Sequence, residues 1–419
     1  MSGANRPSGG ERAERDTQRG RLLEGYRVLD LSQYVAGPGV TRMMAELGAD
    51  VIKIETAPDG DAARLLPVVV DGRSSLFVHQ SRGKRSVCVD WSQPEGLALI
   101  RELVPACDAV VENFGHGVLE RRGLDYESLR PLRPDLVYVS ISAFGRRSPW
   151  ADRPGFDGVV QAFSGLMHMA GDPDGPPQAV GFAIVDNSAA VHAFAALGYA
   201  LLHRERTGIG QHIDIAMADV MLHLQEVLPS WHASGGSYVP NRMGRQHPLV
   251  FPVGFYEAHD GWFFMLCLDR QWPNLCRAMG RPELAEDPRY AEGPSRAANQ
   301  ADLVPIVQAW LLSFPDDDAA LAACLEHRVP ISKVNSPVDL VTHPHYLARD
   351  MIRYVPDPVL GEVLIPGFPF KFGAEPPAAE LHAPLLGQHN REVLGELLGY
   401  DEARTTALEK AGVLVTGPR

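Results

Sequence analysis

Long apolar segments are absent from this sequence of 419 residues. No run approaches the roughly 20 apolar residues that a membrane-spanning helix needs, so we expect no membrane partner. The first 21 residues, MSGANRPSGGERAERDTQRGR, lack the apolar core of a secretory signal. Their acidic residues, Glu11, Glu14 and Asp16, also disfavour a basic transit peptide. We therefore interpret residues 1–22 as a disordered tail.

Positive charge is also scarce. The chain has 52 acidic against 39 basic residues, a formal net charge of −13. Nucleic acids and anionic membranes are bound through clustered basic residues, so this balance argues against both partners. It leaves room for a small anionic ligand held by a few local lysines and arginines.

Paired cysteine motifs are lacking as well. The five cysteines are scattered and odd in number: Cys88, Cys107, Cys267, Cys276 and Cys324. A reduced, cytoplasmic protein with cysteines in its core is the simplest interpretation. His343 and His345 are close in sequence but have no further ligand at a suitable spacing, so no metal site is predicted.

Short apolar strands alternate with helical patterns in the first third of the chain. The predicted strands are Tyr26–Ser32, Val51–Glu55, Ser86–Asp90, Ala109–Asn113 and Leu136–Ile141. Continuous apolar strands that alternate with helices are typical of a doubly wound parallel α/β sheet covered on both faces.

The segment after the first strand, Ala36-Gly37-Pro38-Gly39, is predicted to be a turn. It lacks the third glycine of a dinucleotide-binding fingerprint, which disfavours a nicotinamide dehydrogenase. Backbone N–H groups at the start of the following helix still suit a phosphate.

Asp186 lies between the apolar run Val180–Val185 and an alanine-rich helix predicted over Asn187–Arg204. Gly208 and Gly210 follow that helix, as expected of residues just past a helix end. Aspartate is a preferred N-cap residue, so a structural cap explains the local pattern. A helix dipole would also hold such a carboxylate ionised, and the ionised form is a nucleophile. The pattern leaves both roles open.

The pattern changes after Val220. Asp260-Gly261 is a strong two-residue turn signal between Gly254–His259 and Trp262–Leu268, and predicts a hairpin. Helices are predicted around Trp272–Met279 and Leu303–Leu312. We interpret this region as a second, smaller α+β domain.

Nine motifs follow one another along the chain: VLDLSQYVAGPG, ELGADVIKIE, GKRSVCVDW, VVENFGHGVLERRGL, SAFGRRSP, PGFDGVVQAFSGL, DGPPQAVGFAIVD, RERTGIGQHIDIAM and PLLGQHNREVL. In this order and spacing they resemble the class III CoA-transferases, the family named for carnitine and bile-acid CoA transfer. The resemblance runs from about Leu23 onward.

This resemblance implies a Rossmann-like large domain formed by residues 23–225 and 335–419, because the C-terminal segment returns to it. Residues 226–334 would form the smaller α+β domain. The resemblance also implies an interlocked homodimer, in which two chains thread through each other.

The resemblance makes Asp186 the catalytic nucleophile and coenzyme A the substrate and acyl carrier. The positions it assigns to CoA binding are Val35, Ala36, Val89, Asn113, Phe114, Arg121 and Asp157. A guanidinium such as that of Arg121 binds phosphate oxygens bidentately. Asn113 ends a predicted strand, where ligands of open α/β sheets sit.

The implied reaction moves CoA from an acyl-CoA donor to a carboxylic acid acceptor. Asp186 would attack the donor thioester to form a mixed anhydride and release CoA thiolate. The thiolate would then attack the aspartyl side to give an aspartyl-CoA thioester, from which the acceptor carboxylate takes CoA. Such covalent catalysis splits one hard exchange into easier steps.

Departures from related enzymes narrow the substrate. Formyl-CoA:oxalate enzymes resemble this chain but carry Gln at the position of Val35, which argues against oxalate as acceptor. Arg242, Arg245 and His247, in a loop of the second domain, are hypothesised to bind the acceptor carboxylate.

Two other functions remain alternatives. The α-methylacyl-CoA racemases share the fold, but their catalytic His lies in a GHD motif where this chain has Gly155-Phe156-Asp157. Because Phe cannot act as a base, a racemase is disfavoured. A non-catalytic CoA-binding protein is disfavoured by the intact motif around Asp186.

Overall fold

A computed structural model describes residues 21–373 and 381–418 of the chain. The predicted tail spans residues 1–22, and its residues 1–20 lie outside the described residues. The chain forms two compact units. The first comprises residues up to Ser164, Gly181–Gln225 and the chain from Ala348 onward, and the second comprises Gly165–Val180 and Glu226–Leu347. The domain boundaries that the resemblance implies stay a prediction.

The described residues form thirteen strands: β1 (Arg27–Asp30), β2 (Asp50–Thr56), β3 (Val69–Val70), β4 (Arg73–Ser74), β5 (Lys84–Val89), β6 (Ala109–Glu112), β7 (Val137–Ser142), β8 (Gln211–Ala216), β9 (Val253–Glu257), β10 (Trp262–Leu266), β11 (Ile331–Lys333), β12 (Ile352–Asp357) and β13 (Gly361–Pro366).

Their helices are α1 (Ala36–Glu46), α2 (Ser75–Ser81), α3 (Pro94–Leu103), α4 (Tyr126–Leu129), α5 (Asp157–Phe163), α6 (Leu166–Met169), α7 (Ile184–Thr207), α8 (Met217–His223), α9 (Val227–Ala233), α10 (Trp272–Ala278), α11 (Glu283–Glu286), α12 (Gly293–Ala298), α13 (Gln300–Leu311), α14 (Asp317–Glu326), α15 (Pro344–Ala348), α16 (Asn390–Leu398) and α17 (Glu402–Lys410). Short 3₁₀ helices cover Ala62–Leu65, Val104–Ala106, Glu120–Arg122 and Asp339–Thr342.

Six strands of the first unit form one parallel sheet in the order β5-β2-β1-β6-β7-β8. All five strands predicted in the first third of the chain belong to it, which confirms the α/β class. Val28 of β1 is paired with Val51 on one side and Ala109 on the other. The chain therefore reverses its direction across the sheet between β1 and β6. The crevice outside the carboxyl ends of the strands at such a reversal is where open α/β sheets bind ligands.

The C-terminal segment packs against β5, the edge strand of this sheet. Asn390 Oδ1 accepts a hydrogen bond from the backbone N–H of Cys88 (2.9 Å), and the Val413 carbonyl accepts one from Asp90 (2.8 Å). Val393 and Val413 join the buried hydrophobic core on that side of the sheet. The motif PLLGQHNREVL thus completes the first unit.

The prediction of a turn at Ala36-Gly37-Pro38-Gly39 is wrong, because these residues form the first turn of α1. A Cβ on Gly37 would lie 2.2 Å from the Cβ of Ser32, and one on Gly39 would lie 3.0 Å from the Cβ of Ala190. The two glycines therefore allow α1 to lie tightly against the end of β1 and against α7.

The second unit contains the antiparallel sheet β11-β10-β9. The predicted hairpin is confirmed: β9 and β10 are joined by a turn in which Ala258 N donates to Gly261 O (3.1 Å). The two helices predicted in this region are α10 and α13, and residues such as Trp272 and Leu303 are fully buried in the core of this unit.

All five cysteines are free and buried, as predicted, and burial raises the pKa of each thiol to about 12. No helix within residues 21–373 and 381–418 is long and apolar enough to cross a bilayer.

Candidate active site

A cavity of about 290 Å³ opens at the carboxyl ends of β1, β6 and β7. Its walls come from the segments that follow these strands, from the first turn of α7 and from the start of α8. The lining residues are Gln33, Tyr34, Ala36, Asn113, Phe114, Gly115, His116, Ile141, Ser142, Ala143, Phe144, Ala151, Arg153, Pro154, Gly155, Phe156, Asp186 and Met217. Of the predicted site residues, the cavity brings together Ala36, Asn113, Phe114 and Asp186.

Asp186 lies inside the first turn of α7, which begins at Ile184 rather than at the predicted Asn187. The N-cap residue is Ala183, whose side chain has no group that can cap. The predicted helix end is nearly correct: the last helical residue is Thr207, and Gly208 follows in the left-handed conformation at φ +73°. The side chain of Asp186 is therefore free of the capping role that its sequence position suggested.

Asp157 supplies the cap instead. Its Oδ2 accepts hydrogen bonds from the backbone N–H groups of Val185 (2.7 Å) and Asp186 (3.0 Å). Its Oδ1 accepts one from Gln161 Nε2 (2.6 Å), on the same helix α5. Asp157 therefore fixes the backbone that carries Asp186. It does not line the cavity, and a direct contact of Asp157 with CoA stays a prediction.

The electrostatics of Asp186 follow from this arrangement. Burial, and then the nearby negative charge of Asp157, raise the pKa of Asp186 to about 7. The expectation that the helix start holds this carboxylate fully ionised at neutral pH is therefore wrong, since Asp157 takes the N–H groups that would have stabilised it. At neutral pH the protonated form of Asp186 is therefore populated beside the ionised form that a nucleophile needs.

The loop after β1 is clamped by Asn113. The Asn113 side chain accepts from the backbone N–H of Gln33 at Oδ1 (2.8 Å) and donates to its carbonyl from Nδ2 (2.7 Å). The next residue, Tyr34, donates its N–H to Asp61 Oδ1 (3.0 Å) and has a φ of +65°. Asn113 thus has a positioning role that its place after a strand did not reveal.

Two buried lysines hold the backbone of this loop and of the first turn of α1. Lys53 Nζ donates to the carbonyl of Ser32 (2.9 Å), and Lys84 Nζ donates to that of Pro38 (3.0 Å). Lys84 also pairs with Asp30 at 2.9 Å. Sequence reasoning missed this network, although charged residues inside otherwise apolar strands were a usable signal, because a buried charge needs a partner.

The lining of the cavity does not include three of the predicted CoA-binding residues. Val35 is the buried N-cap residue of α1, and Val89 is fully buried at the end of β5. Arg121 is exposed, with its guanidinium above Gly117. No acidic group in the described part of the chain lies within ion-pair distance of Arg121. A contact of CoA with these three residues stays a prediction.

The loop residues hypothesised to bind the acceptor are engaged within the second unit. Arg242 Nε donates to the carbonyl of Asp172 (2.9 Å), and Arg245 pairs with Glu257 (3.3 Å). His247 Nδ1 accepts from the N–H of Leu249 (3.1 Å) and also from that of the following residue. Their role with the acceptor stays a prediction.

Two basic residues that line the cavity, His116 and Arg153, were missed from the sequence. His116 lines it and lies with its Nδ1 2.8 Å from Asp152 Oδ1. Arg153 lines it with its guanidinium 3.9 Å from the ring centre of Trp150. Both follow strands of the sheet, and this position relative to the carboxyl ends was the available signal.

The chain is similar to known CoA-transferases over nearly its whole length. The model of CoA-transferase family III matches residues 23–390. The chain is 36% identical over 400 residues to the succinyl-CoA–D-citramalate CoA-transferase of Chloroflexus aurantiacus, covering 94% of this chain and 98% of that protein. It is 38% identical over 395 residues to the succinate–glutarate CoA-transferase of Agrobacterium fabrum, covering 91% and 97% respectively.

The fold has solved counterparts. The crystal structure of a CAIB/BAIF family protein from Brucella suis superimposes with a TM-score of 0.80 at 35% identity. The match covers 90% of this chain and all of the other.

Proposed function

The chain belongs to CoA-transferase family III and is a CoA-transferase acting between acyl-CoA thioesters and carboxylates, and we propose that Asp186 carries the exchange as a covalent nucleophile. One observation supports this role above all. Among the described residues that line the cavity, Asp186 is the one carboxylate. It lies at the reversal point of the sheet, where ligands of such folds are bound.

The proposed mechanism begins with the ionised Asp186 at the carbonyl carbon of the donor thioester. An Asp186–acyl anhydride forms as the C–S bond breaks, and CoA leaves as a thiolate. The thiolate then attacks the aspartyl carbonyl, which releases the donor acid and leaves an Asp186–CoA thioester. The acceptor carboxylate attacks the carbonyl of that thioester, which gives an acceptor–Asp186 anhydride and frees the thiolate. The thiolate finally attacks the acceptor carbonyl of this anhydride, which restores the Asp186 carboxylate and forms the new acyl-CoA.

The environment of Asp186 suits these steps. Asp157 holds the backbone of Asp186 through two hydrogen bonds, so the nucleophile is positioned before substrate arrives. The raised pKa makes the ionised carboxylate more basic, and a more basic carboxylate is a better nucleophile toward the thioester carbonyl. Because only the ionised carboxylate attacks, the reaction should slow at a pH below the raised pKa of Asp186.

CoA itself is proposed to enter along the loop after β1 and the segment after β6. Ala36, Asn113 and Phe114 line the cavity there, and Asn113 holds the loop in shape. Arg121 lies a few residues beyond Phe114 in the chain, and its guanidinium is suited to a CoA phosphate.

We further propose that two copies associate. On α7, Val191, Tyr199 and Leu202 lie on one face of the helix and are 48%, 74% and 43% exposed. The opposite face, with Ala193 and Leu197, is fully buried against the sheet. A helix that is apolar on both faces is normally covered on both, and a second copy of the chain is the proposed cover.

A racemase acting on 2-methylacyl-CoA is the second candidate, favoured by one observation. His116 and Asp186 line the same cavity, and removal and return of an α-proton needs two bases. Against it, the exposed ring of Phe156 stands where racemases of this fold carry their histidine. Incubation of 2-methylacyl-CoA in deuterium oxide separates the two: deuterium at the α-carbon without CoA exchange would favour the racemase.

The decisive experiment traps the covalent intermediate. The protein is incubated with a panel of acyl-CoA donors and free acids, then quenched with hydroxylamine, and the peptide that contains Asp186 is examined by mass spectrometry. A CoA or hydroxamate adduct on Asp186 is the expected result. Asp186→Asn should lower exchange by at least about 1,000-fold while circular dichroism stays unchanged. Exchange that persists in this variant contradicts the proposal.

A further inference from the structure

The guanidinium of Arg153 lies over a cluster of aromatic rings. It lies 3.9 Å from the ring centre of Trp150, a cation–π distance. The indole of Trp150 is itself packed edge-on against Phe163 (4.9 Å between ring centres) and Phe144 (5.7 Å). These rings also contact each other, so the guanidinium of the exposed Arg153 side chain lies over a packed aromatic cluster at the wall of the cavity.

The charge of Arg153 is not balanced within the described residues. Its neighbour along the chain, Asp152, pairs with His116, and Arg146 pairs with the buried Glu112. No carboxylate among residues 21–373 and 381–418 lies within ion-pair distance of Arg153. The cavity therefore presents one carboxylate, on Asp186, and one cation without an anionic partner.

We propose that Arg153 binds the substrate carboxylate that does not react, so that the enzyme takes short dicarboxylic acids. This inference rests on the proposed role of Asp186, because it assigns the reacting carbonyl to that end of the cavity. A guanidinium and a carboxylate form two parallel charge-assisted hydrogen bonds. A monocarboxylic acid would leave the guanidinium without this partner.

The size of the cavity agrees with a short substrate. A volume of about 290 Å³ is at the lower end of the range for small-molecule sites, which fits a short acyl part. Succinate, D-citramalate and glutarate, for which the two related transferases are named, are all short dicarboxylic acids.

The test compares matched acceptors and matched variants. Succinate is paired with butyrate and glutarate with pentanoate, each at saturating donor thioester, for wild type, Arg153→Gln, Arg153→Lys and Arg147→Gln. Arg147 is an exposed arginine of the same loop that does not line the cavity, so it controls for surface charge. The affinity for free CoA is measured by calorimetry in parallel, with circular dichroism to verify folding.

Arg153→Gln should lower kcat/KM for succinate and glutarate by about 10- to 100-fold, which is the value of a charge-assisted pair. It should leave butyrate, pentanoate and CoA affinity within about twofold of wild type, since these make no bond to the guanidinium. Arg153→Lys should recover part of the loss, because Lys keeps the charge without the bidentate geometry. Arg147→Gln should behave as wild type.

Three results would overturn the inference. An equal loss for both classes of acid would give Arg153 a general role. A loss of CoA affinity without discrimination between acids would assign the guanidinium to a CoA phosphate. Unchanged kcat/KM values of Arg153→Gln for all acids would show that Arg153 does not contact the substrate. If wild type transfers CoA to no acid at all, the proposed function fails first and the inference fails with it.

Discussion

At the scale of single residues, two carboxylates divide the tasks at the start of α7. Asp157 accepts the hydrogen bonds of the helix N-terminus, and Asp186 stays free of them and faces the cavity. The proposed nucleophile is thus a carboxylate whose pKa is raised to about 7 by burial and by its neighbour. The raised pKa should affect both the pH dependence of activity and the pH dependence of stability.

The first consequence concerns activity and pH. Because Asp186 must be ionised to attack, kcat/KM should fall below an apparent pKa of about 7. Asp157→Asn keeps an oxygen that can accept the two N–H bonds but removes the negative charge, so the pKa of Asp186 should fall. The acid limb of the pH profile should then move to lower pH. A profile that keeps its position while kcat drops would show that Asp157 is only a structural cap.

The second consequence concerns stability. The folded pKa of Asp186 is raised above its unfolded value of 3.8, so the ionised carboxylate destabilises the folded state as pH rises through the interval from about 4 to 7. Asp186→Asn should therefore be more stable than wild type at pH 8, by about 1–2 kcal/mol after allowance for partial exposure. The gain should shrink as pH falls toward 4. Urea unfolding at pH 8 and pH 4.5 measures it, and a gain independent of pH contradicts the argument.

At the scale of elements, the loop between β1 and α1 is shaped from three sides. Asn113, just after β6, and Lys53 of β2 hold the loop itself. Lys84 of β5 holds the first turn of α1, and Gly37 allows that helix to approach the loop. The loop contributes Gln33 and Tyr34 to the cavity. Its conformation should therefore influence both stability and CoA binding.

Gly37→Ala tests the packing at this element. The added Cβ would lie 2.2 Å from the Cβ of Ser32, so the loop or the helix must shift. We expect a loss of about 1–3 kcal/mol in the free energy of unfolding and a weaker affinity for CoA. Thermal unfolding and calorimetry with CoA measure the two effects.

Gly158→Ala is the matched control, since a Cβ on this residue of α5 meets nothing within 4 Å. It should be neutral or slightly stabilising, because alanine favours a helix over glycine. Equal effects of the two substitutions would contradict a specific clash at Gly37.

At the scale of the whole molecule, one face of α7 leaves large apolar side chains of the first unit exposed. Val191, Tyr199 and Leu202 form an apolar stripe on it. Leu202→Glu places a charge in that stripe and should shift the proposed dimer to monomer, because a buried unpaired carboxylate is costly in an interface. Sedimentation velocity measures the shift. Leu325→Glu, at a leucine on α14 that is 62% exposed, is the control and should not change the sedimentation coefficient.

Much of the fold could be predicted because its signals are local. The strands from Tyr26–Ser32 to Leu136–Ile141, the hairpin at Asp260-Gly261 and the end of α7 near Gly208 follow from periodicity and turn chemistry within a few residues. The order of the sheet, by contrast, joins β1 to β6, and no local pattern encodes that pairing.

The sequence by itself determined the parallel α/β sheet and the buried cysteines, and through family resemblance it led to the proposed role of Asp186. The tertiary structure alone decided that Asp157 caps the helix in place of Asp186, that Asn113 clamps a loop, and that Arg153 shares the cavity. The physical reason is distance along the chain. Asp157 and Asp186 are 29 residues apart, and Asn113 and Gln33 are 80 apart. Their hydrogen bonds, and the pKa of Asp186 that depends on them, exist only once the chain has folded.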